Sequence, residues 1–263
     1  MPELPDVEVL KRYLDATALH QKVEKVEVNS DQVLKGISSR KIDHELKGHA
    51  FESTRRHGKF MFAEIDAGGW LVLHFGMTGD LKYYKREDKR PEYVLVDFNF
   101  ENGYHLAYVM TRKLGEVRII RDVRKFIEAR ELGPDVMGDD FTYEKFKKLL
   151  AGRRGMVKPT LMNQGIMAGI GNVYSDEILF QARIHPETSV DVLGEEDLKN
   201  IYQKMNYVLK TAIEQQAIPD RYPDSFITKH RDQGEKCPNC NGKVERLRVS
   251  GRSAYYCSSC QGR

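Results

Sequence analysis

The chain has 263 residues and a formal net charge of +3, with 40% hydrophobic and 31% charged residues; this composition excludes a disordered polypeptide and a membrane-embedded one. Its length suits two or three compact units better than one. No apolar run approaches the roughly 20 residues of a spanning helix, and Glu3 and Asp6 stand where a signal peptide would be basic, so a cytoplasmic protein without membrane association is expected.

After Pro5, the residues Val7, Leu10 and Leu14 share one helical face with charges between them. A series of short strand-like runs follows: Val23–Val28, Phe60–Ile65, Trp70–Phe75, Tyr93–Phe100, His105–Met110 and Glu116–Ile120. Turn residues separate them, notably Asp66-Ala67-Gly68-Gly69 and Glu101-Asn102-Gly103. Many strands with few helices predict an N-terminal β-sandwich with flanking helices over residues 1–131.

Leu132-Gly133-Pro134-Asp135 marks a boundary, and from about Asp140 the apolar spacing turns helical through Phe146, Leu149 and Leu150. A helical domain is expected over residues 132–222. Within it a short helix, Leu161–Ala168, should stop at Gly169-Ile170-Gly171, and Asn172 should cap the next one. The N–H groups of such a helix start attract a phosphate, and Lys158 and Arg154 lie upstream to add charge. Gly-x-Gly also serves as plain turn chemistry, so both readings stand at this point.

Residues 223–263 form the third part. From Arg221 onward nine basic residues face four acidic ones, five positive charges net, which favours a polyanionic partner or a solvated face. All four cysteines lie here as Cys237-Pro-Asn-Cys240 and Cys257-Ser-Ser-Cys260. Two such knuckles let four thiolates surround one Zn²⁺ on a β-hairpin, with Lys243–Val249 and Ser253–Tyr256 as strands and Ser250-Gly251-Arg252 as the turn. Two disulfides are the alternative, disfavoured in a cytosolic chain. With four thiolates the shell is complete, so the zinc is structural. The coarse fold class is multi-domain α+β.

The opening Met1-Pro2-Glu3-Leu4-Pro5-Asp6-Val7-Glu8-Val9, the glycine-rich turn between helices, and the finger ending Tyr255-Tyr256-Cys257-Ser258-Ser259-Cys260-Gln261 occur in one order over essentially the whole chain. Together they resemble the formamidopyrimidine-DNA glycosylase / endonuclease VIII family. The resemblance implies a helix–two-turns–helix domain at 132–222 and a zinc finger at 223–263. It also implies base excision with strand cleavage by β- or β,δ-elimination on double-stranded DNA carrying a damaged base or abasic site, by a monomer. From position alone Pro2 is a loop residue; the resemblance makes it the nucleophile once Met1 is removed. An α-amino group is far less basic than a lysine, so an appreciable fraction is free at neutral pH.

The resemblance further carries over Glu3 as general acid/base and Lys59, in Arg55-Arg56-His57-Gly58-Lys59-Phe60, as a catalytic-site lysine on the lesion phosphates. Lys158, Asn172 and Arg252 match phosphate binders, and Met77 matches a void-filling wedge. Glu8 matches a family carboxylate, whereas Asp6 replaces the usual Glu. Met110-Thr111-Arg112-Lys113-Leu114-Gly115 stands where the oxidised-purine branch has Asp-Pro-Arg-Arg-Phe-Gly. Arg112, expected to read the opposite base, is retained, but Leu114 gives up the aromatic face of the second wedge. The stretch from Ile218 to Cys237 is shorter than in that branch, so the damaged base is left open. A non-catalytic DNA-binding relative is the competing reading. A zinc-ribbon RNA binder would leave the N-terminal pattern unexplained.

Overall fold

The computed structural model describes residues 2–262; Met1, whose removal the expected chemistry requires, and Arg263, counted among the basic residues of the tail, lie outside them. The chain forms two compact units. Residues 6–131 with Pro2 make the first, and residues 132–262 with Glu3–Pro5 the second.

The helix α1 (Leu4–Thr17), which belongs to the first unit from Asp6 onward, turns Val7 and Leu14 into that unit's core. The strands β1 (Val23–Val28), β2 (Phe51–His57), β3 (Phe60–Ile65), β4 (Trp70–His74), β5 (Asp80–Lys85), β6 (Val94–Phe100), β7 (Tyr104–Val109) and β8 (Glu116–Ile120) follow, with α2 (Ser39–Leu46) after β1 and α3 (Val123–Ala129) closing the unit. They make two antiparallel sheets, β1-β6-β7-β5 and β2-β3-β4-β8. Alternation sends Val26, Phe98, Leu106 and Leu81 from one sheet, and Met61, Leu71, Leu73 and Val117 from the other, into one buried cluster, the sandwich core.

The sequence pattern missed β2, β5, α2 and α3. β2 (FESTRRH) and β5 (DLKYYK) carry too few apolar residues to read as strands. They end the pairing order of their sheets, where partner strands rather than side-chain burial hold them. α2 and α3 are short and start on side-chain caps, with Ser38 accepting from Lys41 N–H and Asp122 from Lys125 N–H.

The second unit contains α4 (Tyr143–Leu150), α5 (Val157–Met162), α6 (Asn172–Ala182) and α7 (Glu195–Glu214), then the hairpin β9 (Glu245–Val249) and β10 (Arg252–Tyr256). Its helical core gathers Phe146, Leu161, Ile178, Leu179, Met205 and Leu209. A second cluster sets Phe180 of α6 and Ile227 against Cys237, Val244 and Cys257, so the hairpin shares a core with α6. Gln261 reinforces the junction by donating to the Ile184 carbonyl at 2.8 Å, and His185 meets Tyr256 edge-on at 4.7 Å. No helix among the described residues is long and apolar enough to cross a membrane.

Two local expectations are corrected. The helix expected at Leu161–Ala168 is α5, Val157–Met162. Ile166–Ala168 are buried because the segment runs beside residues 133–136: Ala168 N–H donates to the Pro134 carbonyl and Val136 N–H to the Ala168 carbonyl. In the hairpin, Arg252 pairs with Val249, so the turn is Ser250-Gly251 alone, both at positive φ, and Arg252 begins β10.

Candidate active site

The N-terminal segment is held by the glycine turn before α6. Glu3, 1% exposed, accepts from Gly171 N–H at 2.7 Å and Val173 N–H at 2.8 Å, with Tyr174 N–H at 3.3 Å. Leu4 N–H donates to the Gly169 carbonyl at 3.1 Å. A Cβ at Gly171 would overlap the Glu3 carboxylate, and one at Gly169, where φ is +126°, would strike Leu4. The sequence therefore needs glycine at both positions to admit the acid and its neighbour.

This geometry corrects the expected phosphate cradle. The free N–H groups at the start of α6 hold the protein's own carboxylate, whose charge also complements the positive end of the helix dipole. Gly171 is the cap and Asn172 the first helical residue. Asn172 is half-exposed, and its Oδ1 is buried without a hydrogen-bond partner among the described residues. Pro2, the chain neighbour of Glu3, is half-buried.

Lys158 also departs from expectation. It is 1% exposed, and its ammonium donates to the Asp176 carboxylate, to the Ser253 carbonyl at 3.1 Å and to the Asn172 carbonyl at 3.5 Å. An ammonium has three donors, so none is left for a DNA phosphate. Burial pushes the Lys158 pKa down and that of Asp176 up, and each charge opposes the shift of the other. Arg231 adds a second cation, with Nη2 2.7 Å from Asp176. Pattern reading passed over Asp176 and Arg231 because an acid on a helix and an arginine in a loop are ordinary solvated residues.

In the first unit Lys59 sits in the two-residue turn between β2 and β3. Phe60 pairs with His74 across β3–β4, and their rings lie 4.8 Å apart. His74 was absent from the sequence reading, since one histidine ending an apolar strand gives no signal. Burial lowers its pKa to about 4; Glu116 opposes the shift, while Lys59 and Arg130 add to it. The ring is neutral at neutral pH. Its Nδ1 accepts from Gly76 N–H at 3.3 Å, which leaves the proton on Nε2. Glu8 pairs with Arg56 and Arg12, both at 3.0 Å, so its carboxylate anchors α1 to β2.

The expected wedge residues lie on two interlocked loops of the first unit. Met77 is 39% and Leu114 61% exposed. Thr78 Oγ1 accepts from Arg112 N–H at 3.1 Å, and Arg112 Nη1 lies 3.6 Å from Met77 Sδ. Gly76, at φ +54°, lets the loops nest, because a Cβ there would meet the Leu114 carbonyl at 2.8 Å. The structure thus brings Met77, Arg112 and Leu114 together.

The cysteines converge without disulfides. All four sulfurs lie within 4.8 Å of one another, with Cys237–Cys260 at 3.7 Å and Cys240–Cys257 at 3.6 Å. A tetrahedral ion with bonds of about 2.3 Å requires sulfur separations of about 3.8 Å. The donor set fits one structural Zn²⁺.

Comparison with known proteins extends the picture over the whole chain. Residues 1–117 match the formamidopyrimidine-DNA glycosylase N-terminal domain, 132–221 the formamidopyrimidine-DNA glycosylase H2TH domain, and 234–262 the zinc finger found in FPG and IleRS. The formamidopyrimidine-DNA glycosylase of Pelotomaculum thermopropionicum is 31% identical over 274 residues, covering 99% of both chains. That of Synechocystis is 31% identical over 283 residues, covering 99% of this chain and 98% of its own. Among solved structures, Lactococcus lactis Fpg bound to abasic-site DNA superposes with a TM-score of 0.90 at 26% identity over 100% of both chains. The same protein with FAPY-dG DNA gives 0.91 at 26% identity, over 99% of this chain and 100% of that one.

Proposed function

The chain belongs to the formamidopyrimidine-DNA glycosylase / endonuclease VIII family of zinc-finger base-excision-repair glycosylases with lyase activity, and from that premise we propose that Pro2, freed by removal of Met1, is its nucleophile. The secondary amine attacks C1′ of the damaged nucleotide, the glycosidic bond breaks, and the base leaves with a proton. The C1′–O4′ bond then breaks, O4′ taking a proton, and the sugar opens to an iminium that acidifies the 2′ hydrogens, so loss of one expels the 3′ phosphate by β-elimination. Glu3 is the acid/base partner that protonates the sugar or the departing base and then takes back a proton.

The observation that carries this reading is the fixing of Glu3: three backbone N–H groups hold its buried carboxylate one residue from Pro2. A solvated loop acid would have none of these partners. Lys59, Asn172 and Arg252 take the lesion phosphates. Met77 and Leu114 fill the gap left by the everted base, and Arg112 reads the base opposite. The zinc, once bound, rigidifies the hairpin that carries Arg252.

The substrate is double-stranded DNA with an oxidised or ring-opened base or an abasic site, handled by one chain. We divide the work among residues 1–131 (chemistry and wedges), 132–222 (helical DNA-binding part) and 223–263 (zinc finger). We place it in the cytoplasm, a reading supported by four cysteines without disulfides and by a DNA substrate.

Borohydride trapping on abasic-site DNA tests the nucleophile. The adduct should map to the N-terminal peptide, and a protein with a blocked N-terminus should bind DNA without forming it. An adduct on Lys59, or an equal yield from the blocked protein, would overturn Pro2.

A further inference from the structure

In the second unit a buried side-chain pair takes the place of a β-strand beside the zinc hairpin. Arg252 pairs with Val249 across the two-residue turn, and Ser253 and Tyr255 follow in register with Arg248 and Arg246. In an antiparallel pair closed by such a turn, alternate residues bond to the partner strand. The backbone groups of Ser253 and Tyr255 therefore face away from β9, along the open edge of β10.

That edge is not left to solvent. Lys158 on α5 donates to the Ser253 carbonyl at 3.1 Å, and the Tyr255 N–H faces the Asp176 carboxylate on α6, whose charged form it favours. The two side chains form an ion pair that is almost wholly shielded from water. Lysine supplies the donor and aspartate the acceptor, as a neighbouring strand would. Arg231 bonds the second Asp176 oxygen at 2.7 Å, and its guanidinium lies 4.8 Å from the centre of the Tyr255 ring. Asp176 thus joins α5, the segment before the first zinc knuckle, and β10.

We propose that Asp176 is a positioning residue for DNA binding: with Lys158 it docks the open edge of β10 and so fixes where Arg252 presents its guanidinium to a DNA phosphate. The proposal rests on the phosphate-binding reading of Arg252. The anchors lie one and three residues from Arg252 on a single strand, so displacing them moves the arginine directly. The zinc knuckles secure the opposite end of the hairpin. An arginine held at one end only would keep its charge and lose its aim.

The test combines Asp176→Ala, the doubly apolar Lys158→Met/Asp176→Leu, and Arg252→Ala in each background. Apolar replacement of both partners strands neither of them as a buried charge. Zinc content, hydrogen exchange of the Tyr255 amide, and the salt dependence of binding to an abasic-site duplex are measured. Zinc should stay at one per chain while Tyr255 exchange accelerates. The slope of log K against log salt should fall by about one unit in either Asp176 background, the value of one lost phosphate contact. Adding Arg252→Ala should then lower it no further.

Additive losses, an unchanged slope, or unchanged Tyr255 exchange would overturn the proposal, as would loss of zinc from both variants, which would make Asp176 a folding residue. If Arg252→Ala leaves the slope unchanged in the otherwise wild-type protein, the Arg252 reading fails and takes the proposal with it. Accelerated Tyr255 exchange would then mark that reading, and not the anchor, as the part in error.

Discussion

At the residues drawn into the candidate site, the two units break the rule of apolar inside and charged outside in opposite ways. The second buries Glu3, Lys158 and Asp176 and gives each carboxylate or ammonium named partners. The first leaves Met77 and Leu114 in solvent on loops tied to each other. A buried charge survives only when its hydrogen bonds are made, so the second unit's exceptions are complete in the protein alone. Exposed apolar side chains on a braced loop acquire their partner on binding. One set of exceptions holds the candidate site together, and the other is exposed, as the proposed wedge role requires.

The sharpest way to break this contrast is to disturb Glu3. Gly171→Ala drives a methyl group into its carboxylate, and Glu3→Gln leaves the shape but removes the acid. Each should slow base excision by about 10²–10⁴-fold, read in single-turnover assays, with DNA binding and zinc content kept. Cleavage of a preformed abasic site should suffer less from Glu3→Gln, because no base remains to be expelled. Equal loss in both reactions would remove Glu3 from the base-leaving step.

Zinc removal comes next. Cys240→Ser or exhaustive chelation should abolish duplex binding while the sandwich keeps its own unfolding transition, since its core contains none of the zinc ligands. Binding of unchanged affinity by zinc-free protein would detach the hairpin from recognition.

A third test uses pH. His74 has a folded-state pKa of about 4 against an ordinary value of 6.5. Below pH 6.5 the unfolded chain takes up a proton that the folded one refuses. Stability should therefore fall from pH 6.5 down to about 4, by about 3 kcal/mol at most from this residue. His74→Gln should flatten that part of the curve in denaturant melts. In the second unit the buried Lys158 and Asp176 are ion-paired, and the contrast would blur if His74→Gln left the acid limb unchanged.

The smallest effect on stability belongs to the wedges. Met77→Ala and Leu114→Ala should change unfolding free energy by no more than about 0.5 kcal/mol, because both side chains are already in water. Excision should nonetheless slow by roughly fivefold to a hundredfold, in keeping with about 1–3 kcal/mol for a lost contact with the bases. A large stability loss with unaltered excision would make them packing residues.

Legibility in the sequence followed the same division. The four cysteines and the core strands were readable because spacing and alternation are local properties. β2 and β5 were not, since pairing partners rather than their own side chains define them. At the glycine turn the anion-seeking helix start was recognised but its occupant was not. The acid that fills it lies 168 residues away in the chain, and no window of sequence joins the two. Lys158 misled for a related reason: its charge was plain, but Asp176 and the Ser253 carbonyl appear only once three segments meet.

The long reach of Glu3 also bears on synthesis. Residues 3–5 leave the ribosome well before their seat, residues 169–174 of the second unit. At about 5–20 residues per second, the amino terminus has no seat for roughly ten to thirty seconds. During that interval Glu3 is without its three backbone partners and the zinc knuckles do not yet exist. On the reading of Glu3 as the acid partner of Pro2, a chain cut short before residue 174 would lack the backbone groups that hold that acid, and should excise no base.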